Sequence, residues 1–163
     1  MGPEPRSAGD AAAAGVPVRA ASARVTIPLV AEATGSGLLT FLIVAAGLLA
    51  ERHAGGSIAL AALITALAGA AGFLVLMRAF SPWAVTAFNP ALAFAFILSG
   101  RLDLVTGLLS AAAQIAAAFL GVMLAHLATN TGLVQVATQI QTGAGVWTGE
   151  FLGTGCSYSR CCR

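Results

Sequence analysis

The sequence predicts an all-α membrane protein made of three transmembrane helices and one re-entrant half-helix, and three observations lead there. Charged residues make up 9% of the 163 residues and hydrophobic residues 58%, with a mean hydropathy of +0.90; soluble domains carry about 25% charged residues. Three apolar runs each reach the roughly 20 residues that a helix needs to cross a hydrocarbon core of about 30 Å. A fourth apolar run, Asn89 to Gly100, is too short to cross and opens on Asn-Pro, a helix-start signal.

Taken in order, residues 1–26 (MGPEPRSAGDAAAAGVPVRAASAR and the two after it) are rich in Ala, Gly, Pro and Ser and predict a disordered tail. The apolar run that follows is too long for a signal peptide and leads into further spans, so it is expected to be retained. The spans run from about Ile27 to Leu49, Ile58 to Phe80 and Val105 to Leu127. All three are rich in Ala and Gly, because helices associate in lipid through close backbone approach rather than through the hydrophobic effect. Gly35, Gly37, Gly69 and Gly72 are read as helix contacts on that ground. Arg6, Arg19 and Arg24 precede the first span, and Arg78 and Arg101 flank the region between the second and third. This places the amino terminus and the Asn-Pro segment on the cytoplasmic side, with ERHAGGS outside.

From Asn89 to Gly100 a helix would be about 18 Å long at 1.5 Å per residue, which enters a bilayer without crossing it. Asn89 suits the N-cap and Pro90 the first helical position. The Asn amide then keeps NH2 hydrogens to donate outward at a positive helix end. Backbone leading into such a half-helix must be buried in protein or line a wet cavity.

Few other residues carry chemistry. Glu32 and Gln114 are polar groups within spans and need buried partners. Arg78 reaches the interface at the end of its span, and Arg101 with Asp103 forms a surface pair. His53 and His126 are isolated, and Cys156, Cys161 and Cys162 crowd the last eight residues without acidic or His partners, so no metal site is expected. There is no nucleophile with a base, no phosphate loop and no cofactor motif, so no enzyme and no cofactor are expected. A net charge of +2, with no Lys and no basic patch, gives no nucleic-acid surface. A secondary transporter would need a paired intramembrane acid and base, which is also absent.

With FNPALAFAFILSGR following two spans, the chain resembles the aquaporin family of major intrinsic proteins. AEATGS at Ala31 to Ser36 resembles the opening of that family's first helix, and AAQIAAAFLG at Ala112 to Gly121 a stretch of its third. The resemblance implies the first half of an aquaporin-like inverted repeat over residues 27–154. Glu32-Ala-Thr-Gly35-Ser36 returns as Glu150-Phe-Leu-Gly153-Thr154, where a second half would begin. It further implies that Asn89, Pro90 and Ala91 line a pore and that Ala84 to Phe88 present carbonyls to it. Glu32, together with Gln114, would support the loop, and Gly69 would hold a selectivity-filter position. A small residue there widens the constriction towards glycerol, urea or metalloid acids. Val85-Thr86-Ala87 departs from the Gly-Ala-His or Gly-Gly-His frequent in the family, and Ala93 from its Thr or Leu.

The residues after Thr154, GCSYSRCCR, depart most, and 155–163 are expected to be an aberrant tail from a truncated or shifted reading frame. The expected function is passive passage of water or small neutral solutes through a multi-pass protein of a bacterial-type inner or plasma membrane. The alternative is a non-transporting membrane fragment lacking the second half of the pore. The expected partners are the lipid bilayer, the solute and, by the resemblance, further copies in a tetramer.

Overall fold

A computed structural model describes residues 18–84, 88–135 and 142–161. It is all-helical among those residues: α1 (Val18–His53), α2 (Ile58–Phe80), α3 (Pro90–Leu98), α4 (Leu104–Ala128) and α5 (Ala144–Cys161). Three of them contain stretches long and apolar enough to cross a membrane, at Thr26–His53, Ile58–Phe80 and Leu104–Ala128. Leu63, Leu67, Val75, Phe119 and Leu120 are exposed on their outer faces, as lipid-facing side chains should be.

The helix starts at Val18, about nine residues before the start expected near Ile27. The tail expected over residues 1–26 rests on composition, yet Ala20, Ala21 and Ala23 are strong helix formers, and the helix runs on through Pro28. Residues 1–17 lie outside the described residues. At the other end α5 continues to Cys161, through most of the stretch expected to be an aberrant tail. Tyr158 holds it there, its ring 5.6 Å from that of Phe96.

Side-chain meetings give the directions. Along α1, Glu32 meets Gln114, Gly37 meets Ala117 and Gly121, and Arg52 meets Thr129, so α1 and α4 are parallel. Gly47 faces Thr65, Ile43 faces Gly69 and Leu42 faces Gly72, so α2 is antiparallel to α1. A Cβ at Gly121 would collide with the Gly37 carbonyl oxygen and lie 3.2 Å from the Phe41 amide nitrogen. Only glycine permits that crossing, the small-residue packing expected in lipid.

The helix ends follow local rules. Ser57 caps α2 by accepting from the Leu60 amide (3.3 Å), and Asp103 caps α4 by accepting from the Thr106 amide (2.9 Å). α3 ends in a Schellman motif, with Gly100 at φ +69°, its amide donating to Ile97 and the Arg101 amide to Phe96. α4 ends the same way through Asn130 at φ +51°. Beyond that end, Arg52 donates to the Thr129 carbonyl and to Thr131 Oγ1 (2.8 Å), tying the outer end of α1 to the exit of α4.

α3 is the re-entrant element. Its first residues lie beside Gln114, ten residues into α4 and so about 15 Å along it, while Ile97 returns to Gly107 near the start of α4. Nine residues of helix cover about 13 Å, which matches that depth. Leu92 and Phe96 are buried at its centre, against Phe73, Met77, Leu102 and Tyr158. The expected Arg101–Asp103 pair is replaced by separate uses: Asp103 caps α4, and the Arg101 guanidinium lies 5.4 Å from the centre of the Phe96 ring.

Candidate functional site

The site forms where the chain turns from α2 into α3. Phe88 sits at φ +62°, a backbone conformation that bulky residues rarely adopt and that costs about 1–2 kcal/mol. The peptide groups on both sides of it are held. Its N–H donates to Glu32 Oε2 (3.0 Å), and its carbonyl accepts from Ser36 Oγ (3.0 Å). Glu32 and Ser36 are four apart on α1 and therefore share a face. Glu32 Oε2 also accepts from Gln114 Nε2 (2.8 Å), so one fully buried carboxyl oxygen joins α1, α4 and the loop. Burying these polar groups is tolerated because they satisfy one another.

The Phe88 ring fills a notch at Gly35, where a Cβ would lie 2.6 Å from ring atom Cζ and closer still to Cε1 and Cδ1. Phe80 meets the ring edge-on, with centroids 5.7 Å apart. Gly35 was read as a helix contact; its contact is with the loop instead.

Asn89, at φ −134°, turns the chain into α3. Its Oδ1 accepts from the Ala91 amide (2.9 Å), and its carbonyl accepts from Leu92 and Ala93. Pro90 occupies the first helical position, where no amide is needed. With Oδ1 committed, the other arm of the side-chain amide, its NH2, is the outward donor. The aligned peptide dipoles of α3 add a positive partial charge of roughly half an electron at that end of the helix.

Asn89 and Pro90 line a cavity of about 290 Å3, and Gly69 lies on the same wall with Leu39, Ile43 and Ser157. Ala91 is not on that wall; it serves through its amide. On the far side of Phe88 and Pro90 a second cavity, of about 270 Å3, is lined by Ser36, Thr40 and Gln114. The structure therefore brings Asn89, Pro90 and Gly69 to one cavity and Glu32 and Gln114 behind the loop. Val85, Thr86 and Ala87 lie outside the described residues. The Phe88 carbonyl, expected to face the path, instead accepts from Ser36. Glu150 is exposed, unlike its repeat partner Glu32.

Ser36 and the notch at Gly35 were missed as site residues. Ser36 was within reach of the sequence, since it lies four residues after Glu32. Among the described residues no three His, Cys, Asp or Glu side chains are grouped as metal ligands. His53 Nδ1 lies 2.8 Å from the Leu49 carbonyl and His126 Nδ1 3.0 Å from that of Leu133, so each ring donates there.

Over 121 residues, 74% of its length, the chain is 35% identical to the aquaglyceroporin AqpS of Rhizobium meliloti (strain 1021). The chain belongs to the aquaporin family of major intrinsic proteins. This aquaporin-family chain spans about half of that relative's length, 52%. No family model matches it, and neither does any solved structure. Family membership and the three membrane-length helices together make it a multi-pass membrane protein. The relative is a channel rather than an enzyme.

Proposed function

We infer that this aquaporin-family chain supplies the wall of a passive path for water and small neutral solutes, with Asn89 as the donor that meets the solute and Gly69 as a wide point of the same cavity. One observation carries this reading: the cap of a re-entrant half-helix and the glycine of α2 line the same cavity. A neutral solute can exchange water hydrogen bonds for the Asn89 amide, whereas a cation meets the positive end of α3. The absence of a side chain at Gly69 favours solutes larger than water, such as glycerol, urea or a neutral metalloid acid. The relative's name, aquaglyceroporin, points the same way. Assembly into tetramers follows from family membership and belongs to the same reading.

Stopped-flow volume changes of proteoliposomes test it, with water, glycerol and urea gradients compared. Glycerol permeability above that of empty vesicles is expected. Gly69→Phe should abolish most of it while sparing water, because Ile43 Cγ1 stands 3.2 Å from where the new Cβ would be and turns the ring into the cavity. Permeability equal to that of empty vesicles for every solute would establish the non-transporting alternative.

A further inference from the structure

The two copies of the Glu-x-x-Gly pattern bring one side chain each to the same cavity. Leu39 lies seven residues after Glu32, and Ser157 seven residues after Glu150. Seven residues are close to two helical turns, so each lies on its own glutamate's face of the helix. Both line the cavity beside Asn89 and Gly69. The register of the repeat thus continues past Thr154, into residues whose composition had suggested an unrelated tail.

Ser157 is placed by its neighbour. Tyr158 packs on Phe96 and so fixes the last turns of α5 against α3. The Ser157 hydroxyl donates to the Gly153 carbonyl (2.9 Å), which commits its proton and leaves the oxygen's lone pairs as an acceptor. Asn89 has the opposite arrangement, with its oxygen committed to Ala91 and its NH2 outward. Leu39, Ile43 and Phe73 make the intervening wall apolar.

We propose that Ser157 is a specificity-determining wall residue of the solute path, supplying the acceptor that complements the Asn89 donor. This rests on the channel reading above. The substrate class follows from the pairing: small neutral molecules with a donor and an acceptor a few ångströms apart, polyols and urea among them, are favoured over apolar solutes of equal size.

Cysteine labelling in vesicles tests the placement independently of transport. Ser157→Cys and, separately, Leu152→Cys are made in a chain carrying Cys156→Ser, Cys161→Ser and Cys162→Ser, and treated with a small cationic methanethiosulfonate. Ser157→Cys should react, and glycerol in the path should slow it, whereas Leu152→Cys, which lies on the exposed face, should react at a rate that glycerol does not change. A Ser157→Cys that does not react, or equal effects of glycerol on the two, overturns the placement. Ser157→Ala should lower the ratio of glycerol to water permeability; an unchanged ratio overturns the specificity role. A parent chain that conducts nothing while keeping the labelling pattern counts against the channel reading and supports the placement of Ser157.

Discussion

Replacing Gly35 by Ala should destabilise the protein by about 1–3 kcal/mol, although the same change in an ordinary helix stabilises by about 1 kcal/mol. The new Cβ would lie 2.6 Å from Phe88 Cζ, where carbon atoms prefer about 3.5–4.0 Å, so the ring must retreat by about 1 Å or more. It has little room to do so. Phe80 stands edge-on at 5.7 Å, and the Phe88 peptide is fixed by Glu32 and Ser36. Overpacking alone costs about 1–3 kcal/mol. If the loop backbone gives instead, two hydrogen bonds are lost at about 0.5–1.5 kcal/mol each. A double-mutant cycle of equilibrium unfolding in mild detergent isolates the effect by combining Gly35→Ala with Phe88→Ala. Without the ring, Gly35→Ala should become neutral or stabilising. A coupling below about 0.5 kcal/mol, the usual additivity error, would refute the notch as the reason for glycine.

Two further outcomes follow from the same geometry. Glu32→Ala removes the acceptor of both the Phe88 amide and Gln114 Nε2, and should cost about 1–3 kcal/mol for each buried donor. Glu32→Gln keeps an acceptor oxygen and should recover part of that loss; equal unfolding midpoints for the two variants would contradict this account. Asp103, outside the spans, has its carboxyl held below the usual 3.8 chiefly by the Thr106 amide that it caps. The folded chain therefore binds that proton more weakly than the unfolded chain. The stabilisation is present above pH 3.8 and is lost as pH falls through the lower folded value. Asp103→Asn should remove this acid sensitivity, and an unchanged pH profile of unfolding would show that the cap does not titrate as described.

Which parts were legible in the sequence depended on how local their causes are. The limits of α2 match those expected from Ile58 to Phe80, because Ser57 caps one end and Ser-Pro follows the other. Asn89-Pro90 announced α3 for the same reason: capping and the fixed proline angle need no distant partner. The start of α1 lies ahead of the expected one because the expectation rested on the composition of the whole stretch, while Ala20, Ala21 and Ala23 favour helix individually. Glu32 and Gln114 are 82 residues apart, and only the family resemblance suggested that they act together. The left-handed Phe88, its ring in the Gly35 notch and the Ser36 bond leave no signature of their own, because they come from two helices meeting a loop. Arg101 and Asp103 looked like a pair by charge, but capping and the Phe96 ring compete for them.

The ties between α1 and α4 have a mechanical consequence. Glu32 with Gln114 and Arg52 with Thr129 and Thr131 join these helices at two points 20 residues apart along α1, about 30 Å. Two struts pinned that far apart resist scissoring, so α1 and α4 behave as a frame. α2 meets α1 through smooth packing at Gly47, Gly69 and Gly72. It is the panel that can tilt within the frame, and it carries Gly69 with it. Thermal breathing of the cavity width should therefore appear as a spread of α1–α2 distances between paired spin labels, while α1–α4 distances stay narrow.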